Sequence, residues 1–303
     1  MRKIIEANLV NPLQKRIYPA QILIENGVIK DIIEIEKAFK YILPGFVDSH
    51  IHIESSMLTP NEFSKVAAKH GTVAVVSDPH EIANVCGIEG VNYMIKDAER
   101  ATIKFFFGAP SCVPATPFET SGAVISASDI EQILQRNDIY FLSEMMNYPG
   151  VINNDDEVMK KISHAKKYHK PIDGHAPGLV GSDLKKYIHA GISTDHETIS
   201  KEEAEEKIVN GLMIQIRNGS ASKTFDNLFY LIDKYPSKVM LCSDDLHPAD
   251  LLDGHINKIV KSAIQKGLDI FNVLLAASIN PILHYKLNVG MLNIGDNRTA
   301  IPA

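Results

Sequence analysis

From Pro44-Gly45 onward, short apolar or β-branched runs alternate with longer amphipathic stretches. The runs are "GFVDSHIHI", "TVAVVSDP", "TIKFFFGAP", "IYFLSEMM", "PIDGHAP", "GISTDHE", "LMIQIRNGS" and "KVMLCSDD". Between them lie helix-like segments such as "TPNEFSKVAAKH", "SASDIEQILQRN", "DDEVMKKISHAKKYH" and "SKEEAEEKIVN". Two of these open on capping signals, Ser128-Asp129 and Ser200 with Glu203 three residues on. Strands alternating with helices predict a parallel sheet. Eight such strands within 303 residues predict an α/β chain closed as a (β/α)8 barrel rather than an open sheet. The barrel is predicted over 43–288. Ahead of it, residues 1–42 read as a small β-unit, with "ENG" at Glu25–Gly27 as a hairpin signal between β-rich runs.

Polar, chemically capable residues gather at the C-terminal ends of the predicted strands: His50 and His52, Asp78, Glu144, His175, His196 and Asp244. Barrel enzymes build their sites at that end. Residues two apart on a strand share a face, so His50 and His52 can aim at one divalent ion. Alone, a His-x-His is more often two histidines on a solvated face. Asp48 shares that face deeper in the barrel, where it either orients a ligand histidine or serves as a buried structural acid. Glu144 lies in an apolar strand, where a charge is costly unless paired or metal-bound; the alternative is an exposed strand-end carboxylate. His175 and His196 are each, singly, more often structural. Asp244 and Asp245 are neighbours on a strand, so only one is expected to face the site.

The ordered set is stronger than its members. A His-x-His on the first strand, a carboxylate on the fourth, histidines on the fifth and sixth and an Asp on the eighth suit two divalent ions, with a carboxylate able to bridge them. Such ions lower the pKa of a shared water, and a neighbouring Asp can move its proton to a leaving nitrogen.

Composition narrows the field. A net charge of −6 lacks the basic footprint of nucleic-acid binding. No apolar run approaches the ~18 residues of a membrane span, and the polar N-terminus argues against an export signal. Cys86, Cys112 and Cys242 are odd in number and far apart, which suits a reducing cytoplasm better than a disulfide framework.

The strings "LPGFVDSHIHIESSM", "VVSDPHEIANVCG", "LSEMMNYPGV", "DGHAPGL", "STDHE" and "LCSDDLHP" together resemble the adenine deaminase family of the amidohydrolase superfamily. Many amidohydrolases carry a carbamylated lysine on the fourth strand; Glu144 stands there instead, as in adenine deaminases. The resemblance implies hydrolysis of adenine to hypoxanthine and ammonia by a metal-activated hydroxide, in purine salvage or adenine catabolism. It implies two divalent ions, manganese or iron with zinc as the alternative, held by His50, His52, Glu144, His175, His196 and Asp244, with Asp244 and Glu144 catalytic. It places Asp78, His80 and Glu81 near the same mouth, to hold either substrate or a further ion; position alone adds Arg217 and Asp245. A homodimer is expected. Relative to the family the chain is expected to be C-terminally shortened, with 289–303 beginning a return to the β-unit. Two alternatives stand beside this reading: an inactive remnant that still binds metal, and an amidohydrolase of another small heterocycle.

Overall fold

The computed structural model describes residues 2–116 and 118–296. The last part of the expected return segment, 297–303, lies outside the described residues. Strands β1 (Arg2–Asn11), β2 (Arg16–Glu25), β3 (Val28–Glu34) and β4 (Tyr41–Ile42) form one sheet in the order β3-β2-β1-β4. Asn26 and Gly27 both take positive φ (52° and 80°) between β2 and β3. That backbone is the type I′ turn whose twist suits a tight hairpin, and Asn-Gly is its preferred pair. The sheet buries Leu9, Ala20, Ile22, Ile24 and Ile29 together with Leu292 from the far end of the chain. Ile29 and the 295–296 backbone exchange two hydrogen bonds of 2.8 and 2.9 Å, so the chain returns to this sheet after the barrel.

The eight predicted strands are all present among the described residues: β5 (Phe46–His52), β6 (Thr72–Ser77), β7 (Lys104–Ala109), β8 (Ile139–Met145), β9 (Ile172–Gly174), β10 (Thr194–Asp195), β11 (Met213–Arg217) and β12 (Val239–Cys242), followed by the short β13 (Asp244–Asp245). They pair in parallel as β13-β5-β6-β7-β8-β9 and β10-β11-β12. Two seams join these arcs. Between β9 and β10, Ser193 N–H donates to the Ile172 carbonyl at 2.9 Å. A Cβ on Gly174 would sit 2.3 Å from the Thr194 carbonyl, so only glycine lets these strands approach. At the other seam, β13 pairs with β5 (Asp244 opposite Ile51), and Ser49 Oγ donates to the Leu241 carbonyl at 2.9 Å.

Val47, Ala74, Val76, Phe106, Phe141 and Met240 cluster with Ile282 and Tyr285 from the last helix and with Leu287 just after it. Helices surround the strands. The helix Ala127–Leu134 is capped by Ser126 and Asp129 reciprocally, two residues before the predicted Ser128. Ser200 caps Lys201–Val209 as predicted, accepting from Glu203 N–H. Among the described residues no helix is long and apolar enough to cross a membrane.

Lys207 is fully buried on that helix. Its ammonium meets Glu203 at 2.7 Å, Asp195 at 3.1 Å, Thr198 Oγ1 at 3.0 Å and the Ala176 carbonyl at 2.7 Å. Asp195 in turn accepts from Ala176 N–H at 2.9 Å. One buried ion pair thus braces the segments that follow β9 and β10 and carry His175 and His196. Removing one partner of such a pair strands the other charge in a low-dielectric interior. Lys207→Met is therefore expected to cost about 3–5 kcal/mol in urea unfolding; a loss within experimental error would refute the bracing role.

His284 lies 3.2 Å from Ser193 Oγ. Burial first, then the charge of Lys238, lowers its pKa to about 4. The unfolded chain therefore takes up this proton first, and stability falls as pH drops from about 6.5 toward 4. His284→Gln is expected to reduce that slope by less than the ~1.4 kcal/mol per pH unit limit for one proton. Urea midpoints at pH 7 and pH 5 check it, and parallel slopes would refute it.

Candidate metal centre

The rim of the strand ring gathers the predicted ligands. His50 and His52 end β5, and their Nε2 atoms face each other at 3.3 Å. His52 Nδ1 lies 3.1 Å from the Asp78 carbonyl, an acceptor only, so Nδ1 carries a proton and Nε2 is the ring nitrogen turned toward Glu144 and Asp244. Glu144, near the end of β8, sits among four histidines. Its Oε1 lies 3.3 Å from His52 Nε2 and 3.4 Å from His80 Nδ1; its Oε2 lies 2.5 Å from His175 Nδ1 and 3.2 Å from His196 Nε2. Asp244 opens β13 with its Oδ1 3.5 Å from His50 Nε2 and 3.3 Å from His52 Nε2. Its φ of +59° is a left-handed backbone, costly for a residue with a Cβ and held only where its surroundings impose it. His50, His52, Glu144, His196, Asp244 and Asp78 are all buried, while His175 and His80 are partly open.

Charges in this cluster hold one another. Burial opposes ionisation of Glu144, but hydrogen bonds from His175, His196 and His52 outweigh it and hold the carboxyl well below the usual range. Burial likewise opposes ionisation of Asp244, and His50 and His52 overcome it. Burial disfavours the charged form of His196, yet Glu144 raises its pKa to about 9. His80 is raised to about 9 against burial, by Asp78. His50 goes the other way, lowered by burial and by His196.

These residues fit a divalent ion. Two imidazole Nε2 atoms point at one spot, and His80 Nδ1 faces two carboxylates, Asp78 Oδ2 at 3.2 Å and Glu144 Oε1 at 3.4 Å. Three groups have ligand atoms within 4.8 Å of one another: His52, Asp78, His80 and Glu144; His50, His196 and Asp244; and Glu144, His175 and His196. Imidazole with carboxylate is a donor set for zinc, manganese or iron.

The remaining predicted residues sit close by in other pairings. Arg217 ends β11; one nitrogen meets Asp244 Oδ2 at 2.6 Å and Glu197 Oε1 at 2.5 Å, and the other meets Glu197 Oε2 at 2.7 Å. Asp245 turns away from Asp244, as strand alternation requires, and accepts from Ser55 Oγ at 2.6 Å. The same hydroxyl is 3.3 Å from Glu81. Asp48 does not touch a ligand ring: it accepts from the backbone N–H of His50 and from Ser243 and His255. Of the two roles open to it, the direct one on a histidine ring is absent.

Glu197, Ser55 and Ser111 escaped the sequence reading. Glu197 follows His196 directly in "TDHE", a position that strand alternation assigns to the opposite face; the chain leaves the strand there, and the carboxylate folds back to Arg217. Ser111 donates to the Glu144 carbonyl at 2.5 Å and carries no local signal.

Residues 41–297 match the amidohydrolase family model. An adenine deaminase of Methanosarcina barkeri is 56% identical over 95% of this chain and 53% of its own length; one of Sulfurovum sp. is 55% identical over 96% of this chain and 55% of its own. The chain thus spans about half the length of the curated relatives it matches. Among solved structures, a D-hydantoinase overlays with a TM-score of 0.70 at 14% identity, covering 98% of this chain and 85% of that one. The N-acetylglucosamine-6-phosphate deacetylase of Pasteurella multocida gives 0.68 at 13%, covering 98% and 94%. These two carry the fold alone. The ring of eight strands, the histidine–carboxylate rim and the family match lead to one assignment: the chain belongs to the amidohydrolase family.

Proposed function

We propose that this chain carries the centre of an adenine deaminase, releasing ammonia from adenine to leave hypoxanthine. One observation carries the choice of substrate: relatives 51–56% identical over nearly the whole chain bear that name. The rim geometry supports the reaction class. We assign His50, His52, Glu144, His175, His196 and Asp244 as ligands of two divalent ions, manganese or iron with zinc as the alternative, with 43–288 as the barrel unit that holds them, 1–42 as a β-unit and 289–303 as the start of a return segment toward it. Bound there, such ions would supply Lewis acidity and would lower the pKa of a water held in the site.

The chain's own residues do the rest. Glu144 presents one oxygen to His52 and His80 and the other to His175 and His196, the geometry of a bridging carboxylate. Arg217 occupies Oδ2 of Asp244 and leaves Oδ1 toward the histidines. In this reading Asp244 Oδ1 takes a proton from the water that attacks C6 and passes it to the amino nitrogen. The C6–N bond then breaks, ammonia leaves, and the carbonyl of hypoxanthine forms as the second water proton passes to ring N1. We assign Asp78, His80, Glu81, Arg217 and Asp245 to the substrate side of the site, with Glu81 and Asp245 as acceptors for purine N–H groups.

Manganese-loaded protein is expected to convert adenine to hypoxanthine and ammonia, and chelation to stop it. Full metal occupancy without turnover would overturn the reading for this chain. Asp244→Asn is expected to lower kcat by about 10²–10⁴-fold with metal content largely kept; metal loss equal to that of His50→Ala would make Asp244 chiefly a ligand. Glu144→Gln is expected to reduce bound metal from two ions toward one by elemental analysis, and an unchanged ratio would remove its bridging role.

A further inference from the structure

Asp48 is fully buried and acts on the site without touching it. Its Oδ1 accepts from the backbone N–H of His50 at 3.2 Å and of Ser243 at 3.1 Å. Its Oδ2 accepts from Ser243 Oγ at 2.5 Å and from His255 Nε2 at 2.7 Å. With four donors converging on it, the carboxylate acts as acceptor only. His255 donates to it through Nε2, and its Nδ1 hydrogen-bonds Thr72 Oγ1 at 2.7 Å. The chain Thr72–His255–Asp48–Ser243 runs from the start of β6 to the joint between β12 and β13. Each member is buried.

The joint matters because the next residue is Asp244. Ser243 is held at both its N–H and its hydroxyl, and Asp244 follows in the left-handed region at φ +59°. A strained backbone persists only when its neighbours over-determine it. Asp48 supplies that constraint from β5, the strand that also presents His50 and His52. One carboxylate therefore sets the spacing between the two histidines and the aspartate across from them.

We propose that Asp48 and His255 are a positioning pair: anchored on Thr72, they lock Ser243 so that Asp244 is presented to His50 and His52. The inference rests on the proposed metal centre for the role of Asp244. It does not rest on adenine as the substrate.

Cobalt(II) titration of the whole chain tests it, because the visible spectrum of bound cobalt reports ligand geometry without any turnover. His255→Leu removes the donor while keeping bulk. It is expected to weaken cobalt binding about 10–100-fold, the usual cost of losing a group that orients a ligand, and to alter the cobalt bands. His255→Gln, whose amide N–H can still reach Asp48, is expected to recover most of that loss. A purely structural role predicts a lower Tm with wild-type affinity and spectrum for His255→Leu, and that result overturns the proposal. If His255→Leu does not fold, Ser243→Ala, which removes only the hydroxyl bond, carries the same test: altered bands support the proposal and unchanged bands overturn it. Failure of the wild-type chain to bind cobalt would overturn the metal centre, and this inference with it. Wild-type binding with an unaffected His255→Leu overturns this inference alone.

Discussion

Two carboxylates buried at the open end of a strand ring govern the architecture around them. Glu144 and Asp244 have lost nearly all contact with water. A buried carboxylate is tolerated only when donors or cations repay its desolvation. Here that role falls to histidines from β5 and from the ends of β9 and β10, to His80 and to Arg217. The rim's order follows from this requirement. Histidines crowd together, although like rings gain little from one another, because each answers one of the two acids.

The same requirement explains the layer behind the rim. Arg217 could not sit against Asp244 alone without leaving most of its fork empty; Glu197 fills it in bidentate fashion. Lys207, on a helix outside the strands, pairs with Asp195 beside His196 and hydrogen-bonds the carbonyl beside His175. Asp48 joins the histidine strand to the aspartate joint. Each of these charges is buried or half-buried, paired with an opposite charge or hydrogen-bond donors, and tied to a residue next to a proposed ligand. The polar interior is therefore one connected network, in which a ligand's position depends on groups that never reach it.

Such a network suits hydrolytic chemistry. A proton carrier must stay ionised in a dry pocket, and Asp244, proposed for that role, has neighbours that hold its pKa down against burial. Arg217 covers one of its oxygens and leaves the other facing the histidines, which gives the carboxylate a direction. Glu81 and Asp245, proposed as acceptors for substrate, both lie within hydrogen-bond distance of Ser55 Oγ.

Sequence alone determined the alternation of strand and helix, the hairpin at Asn26-Gly27 and the placement of His50, His52, Glu144, His175, His196 and Asp244 at strand ends. Those features are local: period, turn chemistry and order along the chain need no knowledge of what lies opposite. It also separated Asp244 from Asp245 by strand alternation. What it could not decide was partnership across the ring. Glu197 reaches Arg217 because β10 ends before alternation can turn its side chain outward. Asp48 answers to Ser243 and His255, some two hundred residues on, rather than to its near neighbour His50's ring. Ser55 and Ser111 serve the site with no pattern to betray them. These pairings depend on how a curled parallel sheet closes on itself, and closure is a property of the folded ring that no stretch of chain carries by itself.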